Sequence, residues 1–160
     1  MNRYFIAVEI PEKTKDDIFS FFYPKLEHDI TGNFVNKEKF HITVLFLGDI
    51  EIRKDLPDFI KTMKFSTMLK VRGIDAFPSI ENPKTVYAKV YGDLKEPLRK
   101  LYSFLSVKEN KEFTPHITLC RAKKVTANIN KKEFESSEFL FTADSLHLFN
   151  SDFADYYKII

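Results

Sequence analysis

Two copies of one tripeptide, His41-Ile42-Thr43 and His116-Ile117-Thr118, stand 75 positions apart in a chain that has only four histidines. Each lies in a short apolar run that reads as a β-strand. A strand sends alternate side chains to one face, so each imidazole stands beside its own threonine hydroxyl. An imidazole titrates near ~6.5. At neutral pH one His can therefore accept a proton while a second, kept charged by a neighbouring phosphate, donates one. Opening a strained cyclic phosphodiester needs that division of labour: one group activates water and the other protonates the departing sugar oxygen. The threonine hydroxyls can donate to the non-bridging oxygens, whose charge grows in the transition state.

With ten Thr and fourteen Ile in 160 residues, the chance that two of the four His would both precede Ile-Thr is about 2 in 10,000, so the repeat points to two similar half-structures. A single His-x-Thr would be read as a satisfied core histidine beside an ordinary strand threonine; two identical copies reverse that preference. A catalytic zinc site wants three protein ligands, and here each His is paired with Thr, a poor zinc ligand, with no carboxylate at a neighbouring same-face position. No metal or cofactor is expected. A nucleophilic serine is disfavoured by the absence of Gly-x-Ser-x-Gly. His28, near a helix end, and His147, in the last strand region, lack the companion Thr and read as structural or surface residues.

The composition sets the frame for these residues. A chain of 160 residues with 44% hydrophobic content has the size of one domain and can bury a substantial core. Its 25 basic and 23 acidic side chains leave +2 and a pI near 8.5, which lacks the basic excess of a nucleic-acid coat but allows a local patch. One cysteine, Cys120, excludes an internal disulfide and fits a reducing cytoplasm. No apolar stretch reaches the ~20 residues of a membrane span, and the first residues lead straight into a strand pattern, so a cytoplasmic protein is expected. The Phe-rich, Trp-free aromatic balance reads as core packing.

The elements that must position the two motifs follow from periodicity and breakers. Arg3 to Ile10 reads as a strand, and Pro11 opens a helix carrying Ile18, Phe19, Phe22 and Leu26, which Pro24 ends or kinks. Thr31-Gly32-Asn33 reads as a turn before a short strand at Phe34-Val35. The run Phe40 to Leu47 is apolar on both sides except at His and Thr, which marks an interior strand. A weaker helix spans Arg53 to Met63. Two strands, Phe65 to Val71 and Ile74 to Phe77, flank a turn at Arg72-Gly73. Val86 to Tyr91 is a strand, Leu94 to Leu105 a helix, Glu109 to Glu112 a charged loop and His116 to Arg121 the second motif strand. Lys123-Lys124 and Lys131-Lys132 flank a loop and short helix, and 138–150 with 156–160 form a closing strand pair. The sum is an α+β fold: two pseudo-symmetric lobes within one domain spanning 1–160, with mainly antiparallel sheets lining a central groove and helices outside.

With Phe5-Ile6-Ala7-Val8, Phe40 to Gly48, Phe113 to Arg121, and the spacing of Phe77-Pro78 and Pro83, the chain resembles the two-histidine (2H) phosphoesterases. In particular it looks like the RNA 2′,3′-cyclic phosphodiesterases, also described as 2′-5′ RNA ligases, whose signature is His-x-Thr-x (HxTx). The resemblance implies a bilobal fold and hydrolysis of a terminal 2′,3′-cyclic phosphate on RNA to a 2′-phosphate, with 2′-5′ ligation as the reverse of the same chemistry. It makes His41 the proton donor and His116 the proton acceptor, with Thr43, Thr118 and Arg121 on the phosphate, a group that suits a guanidinium. The implied partner is RNA with a 2′,3′-cyclic phosphate end, tRNA fragments among them, acted on by a monomer without a membrane.

Strict alternation from His116, however, sends Arg121 to the opposite face; a bulge would bring it round, and without one it is a surface charge. Phe46 matches an aromatic near the base in the family, while alternation places it in the core. After Pro83, where relatives often carry Arg, this chain has Lys84, a point charge in place of a fork. The rival reading is a non-catalytic RNA or nucleotide binding module on the same fold, using the same cations and aromatics.

Overall fold

Strand formers open the chain and divide at once into two faces. In the computed structural model, which describes residues 3–49, 51–109, 113–152 and 155–160, β1 (Arg3–Glu9) sends Ile6 and Val8 into the main core. Phe5 and Ala7 of the same strand form a separate small cluster with Phe149 on the other face. Helix α1 (Glu12–Asp29) follows, and the Pro11 carbonyl accepts the Lys15 N–H at 2.9 Å. The helix continues past Pro24 to Asp29. An interior proline costs about 3 kcal/mol, whereas burying Ile18, Phe22, Tyr23 and Leu26 on either side of it gains about 1.5–3 kcal/mol for each large apolar side chain.

The remaining elements are β2 (Ile30–Phe34), β3 (His41–Gly48), α2 (Leu56–Thr62), β4 (Thr67–Pro78), β5 (Pro83–Tyr91), α3 (Lys95–Leu105), β6 (His116–Val125), β7 (Phe139–Ala143), β8 (His147–Asp152) and β9 (Asp155–Lys158). Single 3₁₀ turns lie at Lys37–Lys39 and Lys131–Phe134. Of the charged loop expected at 109–112, residues 110–112 lie outside the described residues. Two antiparallel sheets result, sheet A in the order β3-β1-β8-β9 and sheet B in the order β2-β6-β5-β4-β7. Each holds one motif strand beside a strand that precedes it through a helix: β1-α1 before β3, and β5-α3 before β6.

The helices cross over. α1 leaves sheet A and lies on β2 and β7 of sheet B, where Phe22 stacks on Phe134 at 5.9 Å between centroids. α3 leaves sheet B and stacks Phe104 on Phe59 of α2 at 4.0 Å, and α2 lies on β8 of sheet A. One continuous buried cluster includes side chains of both sheets.

Several local expectations are corrected. Thr31-Gly32-Asn33 is strand, not turn; the glycine serves close approach, since a Cβ at Gly32 would sit 2.3 Å from the Arg121 carbonyl oxygen and 2.9 Å from the Ala122 Cα. Both obstacles are backbone, so Gly32→Ala should cost roughly 1–3 kcal/mol and lower the melting temperature by roughly 2–12 °C, with a circular-dichroism melt as the check. Arg72-Gly73 is not a turn between strands but a bulge inside the single strand β4: Val71 faces Val90 while Ile74 faces Ala88, with Gly73 at φ +81°. The stretch 138–150 splits into β7 of sheet B and β8 of sheet A. β3 lies at an edge of sheet A rather than inside it, paired with β1.

Candidate active site

The two motif strands carry the same irregularity. Ala7 faces Thr43 and Ile6 faces Leu45, so Val44 is an extra residue in β3. Tyr87 faces Thr118 and Val86 faces Cys120, so Leu119 is the extra residue in β6. Each bulge falls three residues beyond its histidine and shifts the alternation by one. The residue five beyond each histidine thereby joins the histidine's face: Phe46 in one half and Arg121 in the other. This resolves the Arg121 difficulty by register, since its cross-strand partner Thr85 shares a face with Tyr87. It also overturns core packing for Phe46, which is 72% exposed and packs against Phe5 at 5.9 Å.

The bulge in β6 is held by α1. The Leu119 carbonyl accepts the Val35 N–H at 2.9 Å, and the Tyr23 hydroxyl lies 3.0 Å from it and against the Val35 carbonyl. A carbonyl displaced from the ladder is thus satisfied from outside the sheet.

Both imidazoles are set by one device. His41 Nδ1 donates to the Lys39 carbonyl at 2.8 Å and His116 Nδ1 to the Thr114 carbonyl at 3.0 Å, each two residues back along the chain. A carbonyl oxygen only accepts, so Nδ1 carries the hydrogen and Nε2 is the nitrogen that gains or loses a proton. His41, Thr43, His116 and Thr118 are half-buried and Arg121 is exposed. Aromatic rings hold each imidazole: Phe5 at 5.1 Å and Phe149 at 6.0 Å beside His41, and Tyr87 at 5.0 Å and Phe77 at 5.8 Å beside His116. Sequence reasoning missed these four rings, although Phe5 and Tyr87 were reachable by counting alternate residues along β1 and β5.

The motifs converge across a groove. β3 and β6 touch, and Thr43 and His116 line one cavity of about 740 Å³ with Phe46, Phe77, Tyr102 and Phe113. Burial pushes the His41 pKa below its ordinary value, assisted by the charge of His116 and then of Lys15, against the raising effect of the Lys39 carbonyl. Elsewhere, burial pushes the Cys120 thiol up to about 11, which leaves it unreactive. His147 sits between Ser145 Oγ at 3.2 Å and the Ile160 carbonyl at 3.0 Å, with Glu9 at 3.7 Å. His28 is exposed at the end of α1. Among the described residues no three His, Cys, Asp or Glu side chains gather as metal ligands would, and no helix is long and apolar enough to cross a membrane.

Known proteins are similar to this chain in sequence and in fold. The LigT like phosphoesterase family matches residues 8–87, a span that contains His41 and stops before His116. The RNA 2′,3′-cyclic phosphodiesterase of Methanocaldococcus jannaschii is 31% identical over 144 residues, 83% of this chain and 77% of that protein. The RNA 2′,3′-cyclic phosphodiesterase of Aquifex aeolicus is 26% identical over 148 residues, 82% and 74% of the two chains. In fold, the chain is similar to a Thermus thermophilus protein, with a TM-score of 0.65 at 22% identity, covering 99% of this chain and 95% of that one. It is similar also to Escherichia coli LigT crystallised with 3′-AMP, with a TM-score of 0.64 at 21% identity and the same coverage. The half of the chain matched by the family, the relatives that extend past His116 and the two-sheet groove agree, and the chain belongs to the LigT-like phosphoesterases of the two-histidine superfamily.

Proposed function

We propose that this chain is an RNA 2′,3′-cyclic phosphodiesterase that leaves a terminal 2′-phosphate and needs no metal. As a LigT-like phosphoesterase it is a hydrolase of phosphodiester bonds; the finer reading rests on one observation. Two imidazoles, each with Nδ1 tied to a carbonyl and Nε2 left to exchange the proton, lie close enough for the charge of His116 to depress the His41 pKa.

Water attacks phosphorus and gives its proton to His116 Nε2, the P–O3′ bond breaks, and His41 Nε2–H delivers its proton to O3′. The products are a 2′-phosphate and a free 3′-hydroxyl. Thr43, Thr118 and Arg121 hold the non-bridging oxygens, and the rings around each imidazole fix its plane. With a 5′-hydroxyl in place of water the same transfers join two RNA ends through a 2′-5′ bond. Charge stabilisation by Arg121 and the hydroxyls supplies what a metal would supply elsewhere.

Because the free protein depresses the His41 pKa, its imidazole is neutral at pH 7 until the phosphodiester anion binds and raises it. In EDTA, a nucleoside 2′,3′-cyclic phosphate should be turned over with a bell-shaped kcat/KM against pH. The acid limb should have its midpoint below about 6.5, and the limb set by His41 should move to higher pH in kcat. No turnover in EDTA that zinc or magnesium then restores would remove the metal-free reading. No turnover under any condition would favour the binding module.

A further inference from the structure

The groove face of sheet B does not end at His116. Lys89 of β5 faces His116 directly across the ladder, and Tyr91 lies two residues further on the same face, roughly 7 Å along the strand, a distance that one nucleotide of an extended strand covers. Lys70 of β4 faces Tyr91, and the ammonium groups of Lys70 and Lys89 each stand 5.5 Å from the centre of its ring. Tyr91 is 44% exposed, and Met68 and Leu140, at 57% and 56%, continue the same surface. The opposite side of these strands, Val90, Val71 and Leu69, is buried, which makes the face a stiff platform. An aromatic ring flanked by cations on an open sheet is what single-stranded nucleic acid stacks on, in a protein whose net charge of +2 provides no general attraction.

We propose that this face seats the RNA leading to the cyclic phosphate, the base next to the terminal nucleotide stacking on Tyr91 and the backbone phosphates pairing with Lys70 and Lys89. The inference rests on the phosphodiesterase reading above and deepens it: the preferred substrate is an RNA strand, not a cyclic mononucleotide. A base stacking on Tyr91 replaces a lysine–ring contact, and the freed ammonium turns to phosphate. The Lys70–Glu138 pair, 3.7 Å long with both side chains well exposed, is a surface pair that a phosphate displaces at little cost. The bond to the Tyr91 hydroxyl raises the Lys89 pKa, which keeps it cationic.

The test uses a four-nucleotide RNA ending in a 2′,3′-cyclic phosphate, a cyclic mononucleotide, and a fluorescent RNA of the same length ending in a 2′-phosphate. Tyr91→Ala should lower kcat/KM for the tetranucleotide roughly 10-fold and weaken binding of the labelled RNA to the same extent, with mononucleotide turnover unchanged. Tyr91→Phe should retain all three values. Lys70→Gln should reduce the slope of log affinity against log salt by about 1. Equal RNA affinity for the unaltered protein, Tyr91→Ala and Lys70→Gln overturns the platform, even if both substrates are hydrolysed. Loss of RNA affinity in Tyr91→Ala from a protein that hydrolyses neither substrate supports the platform and overturns the phosphodiesterase reading instead.

Discussion

His41→Ala and His116→Ala should each lower kcat on a 2′,3′-cyclic phosphate by about 10²–10⁴-fold, the range of a lost general acid or base, while the melting temperature stays close to that of the unaltered protein. Both imidazoles are half-buried on the groove face rather than in the main core, so truncation removes chemistry more than packing. The roles separate with a substrate whose bridging 3′-oxygen is sulfur. A thiolate leaves without a proton, so His41→Ala should regain most of its loss with that substrate and His116→Ala should regain none. Equal rescue of both variants would mean that the donor and acceptor are not divided as proposed, and reversed rescue would exchange them.

Arg121→Ala should reduce kcat by roughly 10²-fold, the usual consequence of removing a group that meets developing charge on the transferred phosphate. The expectation depends on the extra residue Leu119 in β6, which carries Arg121 to the face of His116 and Thr118. Arg121→Lys should recover part of the loss by restoring charge without the two-pronged geometry of a guanidinium. Steady-state kinetics beside a circular-dichroism spectrum settles the matter, and a kcat within two-fold of the original in Arg121→Ala returns the residue to the surface.

Much of this site was readable because a strand's period of two is strict over short distances. Three residues suffice to place His and Thr together, and both motifs do so on half-buried strand faces. Pairing of strand and helix before each motif, and the antiparallel sheets, were readable for the same reason. Past Thr43 and Thr118 the reading failed, since a bulge is one apolar residue among others and Val44 and Leu119 carry no mark of being unpaired. Gly73 shows the same gap from the other side. A glycine at positive φ serves a turn or a bulge equally well, and only pairing with β5 decides between them. Gly32 reads as a turn residue until its neighbour, the Arg121 backbone, is seen across the sheet. The helix exchange was illegible because an amphipathic face states that it will be covered and not by which sheet.

That exchange bears on how the reacting groups are spaced. Since α1 grows from the strand beside His41 yet covers the sheet of His116, and α3 does the converse by way of α2, neither wall can drift outward without uncovering apolar surface belonging to the other. The spacing of the two motifs is consequently a by-product of completing one core shared by both sheets, and in the proposed reaction an incoming nucleotide would meet acid and base already in position.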